Sequence, residues 1–167
     1  IWRNSVKLPE KKIVKLGEEC NFWPASAPTL GPNGPCGPCS EIFFDRGPAV
    51  GCKRPSCNPD CNCGRFVEIW NLVFTEFNRV DSNKLEPLPQ KNIDTGMGLE
   101  RMACVLQGKS SNFEIDILAQ PAHHVKSYLG IKEEGGEAAS QIHAIVDHLR
   151  AAIFAIADGV YPSNEER

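Results

Sequence analysis

Between Phe66 and Val80 the side chains alternate as a strand requires: Val67, Ile69, Asn71, Val73, Thr75 and Phe77 share one face, and Phe66, Trp70, Leu72 and Phe74 the other. One long strand is predicted there. A polar turn at Asp81 to Asn83 leads into LEPLPQKNID, a strand interrupted by prolines. From Leu99 the period becomes helical. Leu99, Met102, Ala103 and Leu106 predict an amphipathic helix with that face buried and Arg101 turned away from the core. A second helix is expected within Ile115 to Leu129, with Pro121 kinking it or marking its first turn. The third rests on the stripe Ile142, Ile145, Val146, Leu149, Ile153 and Ile156, with Gly159 as its stop. Upstream, Ile1 to Gly17 reads as a short helix or turn ending in a strand at Ile13 to Leu16. Proline and glycine crowd Pro24 to Pro38, which predicts an ordered loop without regular structure. Glu41 to Phe44 follows as a short strand, then a Gly, Pro and Cys-rich excursion to Gly64. EEGGE at Glu133 to Glu137 reads as a linker, so a subdomain boundary is expected between Gly130 and Ala139, dividing the chain into 1–130 and 131–167.

Composition narrows the class. A chain of 167 residues can bury a real core. The formal net charge of -3 argues against an extended nucleic-acid groove within these residues, because phosphate binding relies on Lys and Arg. No charged-then-apolar leader and no apolar run of membrane-spanning length is seen, so a soluble, cytoplasmic internal piece with no membrane partner is expected. With no export signal in view the 8 cysteines point to a reducing compartment, and the close spacing of Cys61 and Cys63 and of Cys36 and Cys39 suits metal chelation better than a set of long-range cross-links.

Three groupings carry candidate chemistry. Asp94 and Arg101 flank Gly96 and Gly98 at a strand-to-helix corner, which suits a substrate bearing both an amine and phosphates; the bland alternatives are a capped turn for Asp94 and a solvated ion pair for Arg101. Asn71 and Val73, two apart on one strand face, can line one small pocket, although Val73 also fits ordinary core. Glu76, a candidate for Mg²⁺, falls on the face opposite Asn71 unless a bulge intervenes. Cys52, Cys57, Cys61 and Cys63, separated by turn-forming residues in GCKRPSCNPDCNCG, can wrap one tetrahedral Zn²⁺ in a structural site. Cys36 and Cys39 in GPCGPC are the competing pair. Reduced thiols are the alternative for all six, and Cys20 and Cys104 are read as inert.

GMGLER resembles motif 3 of the class II aminoacyl-tRNA synthetases, and the longer IDTGMGLERMACVLQG is similar to the alanyl-tRNA synthetase version. NFW with GPCGPCSEIFFD (within Asn21 to Asp45), EIWNLVFTEFNR (Glu68 to Arg79) and ADGVYPSNEER (Ala157 to Arg167) agree in the same order. The resemblance implies an α+β fold: part of a class II synthetase-like antiparallel sheet with flanking helices, followed by a short helical segment that begins the tRNA-recognition region. It implies ATP-dependent activation of alanine, with Mg²⁺, and transfer to the tRNA acceptor end. Trp23, Asn71, Val73, Asp94 and Gly96 fall where that family holds alanine, Gly98 and Arg101 where it holds ATP, and Asn164 where its helical region begins to read the acceptor stem. The loop PASAPTLGPN is longer than is common in the family. Motifs 1 and 2 have no candidate here, so these residues alone are expected to be inactive. The rival reading is a zinc-knuckle binding module that kept the fold and lost catalysis.

Overall fold

The structure, a computed structural model, describes residues 1–131 and 136–164. It divides into two compact units, Ile1–Met102 and Ala103–Arg167. The first is built on a four-stranded antiparallel sheet in the order β1-β2-β3-β4, with β1 Phe22–Trp23, β2 Gly34–Asp45, β3 Phe66–Asp81 and β4 Lys84–Met97. The second is helical. Together they give the expected α+β class, strands first and helices after.

The predicted long strand is β3. Its two neighbours pair with it along most of its length, which is why both of its faces carry partly covered side chains. Ser82 and Asn83 make the hairpin turn into β4, and Asn83 takes the left-handed conformation (φ 55°) that asparagine tolerates. The proline-rich stretch before β2 is ordered up to Asn33 by the far end of this hairpin: Asn83 N donates to Pro28 O at 2.9 Å, Ser82 Oγ to Thr29 O at 3.0 Å, and the buried Arg79 to Thr29 O at 3.2 Å and to Asn33 Oδ1.

Several expectations are corrected. β2 starts at Gly34 rather than near Glu41 and runs through Pro35 and Pro38. Pro38 faces the two-residue β1, and the β2–β3 register shifts between Cys36 and Cys39, where missing donors are tolerated. Gly37 lets the backbones close up there, because a Cβ on it would sit 1.8 Å from Phe74 O. Ile13 to Leu16 is not a strand: a 3₁₀ turn at Glu10–Lys12 precedes it, and no strand pairs with it among the described residues.

Helix α1 is Glu18–Asn21, and α2, Leu99–Leu106, carries the chain from one unit into the next. Its buried residue is Cys104; of the stripe expected to be buried, Met102 and Ala103 are partly covered, Ala103 against the core, while Leu99 and Leu106 are 66% and 78% exposed. In the second unit Cys104 joins Ile115, Leu118, Ile142 and Val146 in one core, drawn from α2, α3 (Asp116–Tyr128) and α4 (Gly136–Ala157). α3 and α4 share that core, and the compact units part after Met102. The expected linker lies mostly outside the described residues. Pro121 is the sixth residue of α3, past the first turn, where it removes one backbone hydrogen bond. The α4 stripe is covered only at Ile142 and Val146; Ile145, Leu149, Ile153 and Ile156 stay open to solvent. Gly159 (φ 91°) ends the helix, and Val160 N donates to Ala155 O at 2.9 Å.

Candidate functional site

The strand register brings the chemistry together. In one rung Val73 stands between Cys39 of β2 and Asp94 of β4; in the next, Asn71 stands between Glu41 and Gly96. Residues directly opposite across antiparallel strands share a face, and so do residues two apart on one strand. Asn71, Val73, Asp94 and Gly96 therefore line one surface, together with Glu41. Val73 is 6% exposed and forms its floor, whereas Asp94 and Gly96 are open to solvent. Trp23 pairs with Gly37, two positions before Cys39 on β2, and its indole is half exposed.

Glu68 joins this face through a bulge. Ile42 pairs with Trp70 but Phe43 pairs with Glu68, so Ile69 is one residue too many for β2. The parity of β3 flips there, and Glu68 turns to the side of Phe43, Glu41 and Asn71. Burial, and after it the nearby charge of Glu68, raises the pKa of Glu41. Burial also pushes the Cys39 thiol up to about 11, with Glu41 and Glu68 adding to it.

Arg101 closes the open end of this surface. Gly98 N donates to Ile69 O at 3.1 Å, which ties the corner to the bulge, and Met102 N donates to Gly98 O at 2.8 Å as α2 begins. Arg101 Nη1 donates to Glu68 O at 3.1 Å and to Glu68 Oε2 at 3.3 Å. Neither Gly96 nor Gly98 takes a positive φ, so both act through the missing side chain. A Cβ on Gly98 would crowd the Arg101 stem at 3.2 Å, and above Gly96 there is open space. The surface thus combines carboxylates, which accept from an ammonium, with one guanidinium, the group that pairs with phosphate, while the acceptor oxygen of Asn71 is shielded from solvent.

Glu76 lies at a register shift between Thr75 and Phe77 and pairs with Lys91 at 3.1 Å. Sequence reasoning passed over Glu41 and Glu68. Glu41 was legible once β2 was paired with β3, but the alternation rule puts Glu68 on the wrong face, and a one-residue bulge leaves no mark in the periodicity.

The cysteine cluster forms as spaced. The Sγ atoms of Cys52, Cys57, Cys61 and Cys63 all lie within 4.8 Å of one another, with Cys52 and Cys61 at 3.7 Å and Cys57 and Cys63 at 3.5 Å. Backbone N–H groups of Arg65 and Cys52 hold the Cys63 thiol down at about 6, and that of Arg54 lowers Cys52. Burial and then the neighbouring thiols push Cys57 up to about 12, and hydrogen bonds to Cys63 and Cys52 raise Cys61. Cys63 and Cys52 are thus shifted toward the thiolate, and Cys57 and Cys61 away from it. Cys36 and Cys39 stay outside this cluster, buried on β2, with Cys39 Sγ donating to Cys20 O at 3.4 Å. The excursion is anchored by Arg65, whose Nε and Nη2 donate to Asp45 Oδ1 and Oδ2 at 2.7 and 2.8 Å.

Asn164 is exposed at a bend beyond α4. His143 stacks on Phe113 with ring centroids 4.1 Å apart, and neither it nor His148 belongs to a metal-ligand cluster among the described residues. Among those residues no helix is long and apolar enough to cross a membrane.

Comparison with known proteins agrees along the whole chain. The family profile described as "tRNA synthetases class II (A)" matches residues 1–167. An alanine–tRNA ligase of Carboxydothermus hydrogenoformans is 49% identical over 168 residues, one of Clostridioides difficile 46% over 168, and one of Endomicrobium trichonymphae 47% over 167. Each alignment covers 100% of this chain but 18% of the relative, so the chain spans under a fifth of the length of the proteins it matches.

Proposed function

The chain belongs to the class II tRNA synthetases (A), and from that premise we propose that it is part of an enzyme that joins alanine to its tRNA through an alanyl-adenylate. Residues 1–130 would contribute to the catalytic core and 131–167 would begin the helical region that meets the tRNA acceptor stem, Asn164 among its contacts. The observation that carries this reading is the register that sets Asn71 beside Gly96, and Val73 beside Asp94, on one face that ends at Arg101.

In this reading Asp94 and Asn71 receive the ammonium group of alanine. Their acceptors suit it, since an ammonium donates and cannot accept. Val73 and Trp23 limit the side chain to a methyl, and the open space above Gly96 admits the backbone of the amino acid. Gly98 and Arg101 meet ATP. Arg101 leaves Glu68 for the α-phosphate, where its fixed positive charge balances the charge that builds up as the alanine carboxylate attacks and pyrophosphate departs. Position and electrostatics carry the step, because the substrate supplies its own nucleophile. Mg²⁺ bound with ATP would offset phosphate charge, and Glu68, on the Asn71 face and freed as Arg101 turns to phosphate, would be the carboxylate able to hold it, while Glu76 is paired with Lys91. Cys52, Cys57, Cys61 and Cys63 would hold one structural Zn²⁺, and a tetrathiolate shell leaves no open position for chemistry. The compartment proposed is the cytoplasm.

The test uses the full-length polypeptide. Asp94→Asn should raise the KM for alanine in ATP–pyrophosphate exchange far more than the KM for ATP, because a charge-assisted bond to the ammonium is lost. Unchanged alanine kinetics would remove Asp94 from the pocket. Zinc binding without any alanine-dependent exchange would favour a non-catalytic zinc module instead.

A further inference from the structure

Glu41 stands opposite Asn71 across the β2–β3 pair, and Asn71 Nδ2 donates to Glu41 Oε1 at 3.4 Å. The other end of that amide, Oδ1, is shielded from solvent and has no partner among the described residues. An ionised carboxylate accepts hydrogen bonds and cannot donate them, so only the NH₂ end of the amide can face it. The carboxylate decides which way the amide points.

Resting on the reading of this face as the alanine pocket, we propose that Glu41 is a positioning residue for alanine recognition: it fixes the Asn71 carboxamide so that Oδ1, and not Nδ2, meets the substrate ammonium. A reversed amide would set donors against donors. The geometry of the fold supports this division of labour. Asn71 lies on the central strand with β2 on one side and β4 on the other, and Glu41 holds it from the β2 side while Gly96 leaves the β4 side clear. The other charged and titratable groups near Glu41 are Glu68, whose carboxylate Arg101 already engages, the Cys20 thiol, and the Cys39 thiol, against which the Asn71 side chain also lies. No cation contacts the Glu41 carboxylate among the bonds of the described residues, and the Asn71 amide is the donor that meets it. A buried acceptor left without a partner is costly in a folded protein, and the substrate would supply the missing donor.

A double-mutant cycle on the full-length ligase, read by alanine-dependent ATP–pyrophosphate exchange, tests the proposal. Asn71→Ala and Glu41→Ala should each raise the KM for alanine by about tenfold, the size expected for one charge-assisted hydrogen bond, with the KM for ATP unchanged. The double variant should be no worse than Asn71→Ala alone, because Glu41 acts only through Asn71. Multiplying effects would mean that Glu41 touches the substrate itself, and an unchanged alanine KM in Glu41→Ala would show that it orients nothing; either result overturns the proposal. An unchanged alanine KM in Asn71→Ala would instead overturn the pocket reading on which it rests. If Glu41→Ala does not fold, the same cycle is run with Glu41→Gln, whose amide can present either end. A smaller rise in alanine KM, again absent in the Asn71→Ala background, is expected, and a rise that persists there overturns the proposal.

Discussion

Loss of one cysteine from the cluster should empty the metal site and loosen its loop while leaving the sheet in place. With a Zn–S bond of about 2.3 Å, a regular tetrahedron has S···S edges of about 3.8 Å. The observed pairs at 3.5 and 3.7 Å, with all four sulfurs inside 4.8 Å, need shifts of only about 1 Å to reach it. Sites of this kind bind with about 10–16 kcal/mol of apparent free energy near neutral pH. Cys57 and Cys61, both raised, must each give up a proton to the incoming ion. Affinity should then fall steadily as the pH is lowered. Elemental analysis of protein prepared under reducing, chelator-free conditions should give about one zinc per chain. Cys61→Ser should lose most of it and Cys36→Ser very little. Hydrogen exchange after chelation should show the Gly47 to Gly64 segment opening first and β3 last, because the strand is paired on both sides independently of the metal. Metal-free protein, or metal retained in Cys61→Ser and lost in Cys36→Ser, would refute this reasoning.

Gly37→Ala should destabilise the sheet by about 3 kcal/mol or more, seen as a lower urea midpoint, since its Cβ would meet Phe74 O at 1.8 Å and backbone cannot step aside as a side chain can; a midpoint within error of the parent would show that β2 and β3 do not approach as described. Arg65 holds the Asp45 carboxyl down at about 2 from 3.8, so this pair contributes above pH 3.8 and its contribution fades as the pH falls through 2. The pair is partly exposed and screened, so its contribution is small; Arg65→Gln should lower thermal stability slightly at pH 6 and hardly at all once the pH is well below 2, and an equal loss at both would assign the effect to packing on Phe66 instead. Expressed by themselves, the 167 residues should show no alanine-dependent ATP–pyrophosphate exchange, because Arg101 alone does not orient ATP for in-line attack. Robust exchange would mean that the remaining phosphate-binding groups have been overlooked in this chain.

What the sequence revealed depended on how locally each feature is encoded. The alternation from Val67 to Phe77 marked β3, and the cysteine spacing marked the cluster, because both are fixed within a dozen residues. The convergence of Asn71, Val73, Asp94 and Gly96 on one face needed the pairing of three strands, which motif resemblance supplied in advance and periodicity alone did not. Glu68 was hidden because the bulge at Ile69 reverses the parity used to assign faces. The start of β2 was hidden behind Pro35 and Pro38, which ordinarily argue against a strand and are accommodated here beside a two-residue neighbour and a register shift. The α2 stripe misled in the opposite sense. Leu99 and Leu106 have the period of a buried face, but in this chain the core closes on Cys104.

The cysteine-rich excursion leaves β2 at Asp45 and re-enters β3 at Phe66, and those two residues are themselves partners across the ladder. Arg46 N donating to Arg65 O at 2.9 Å carries the pairing one step further into the excursion. To the sheet, everything between is an oversized hairpin loop. Lineages could therefore lengthen, shorten or exchange the segment without altering the register at Asn71. A protein engineer could likewise replace Gly47 to Gly64 with a tight Asn-Gly turn, or graft the four-cysteine loop onto another hairpin whose strand ends present an equivalent acid–arginine clasp.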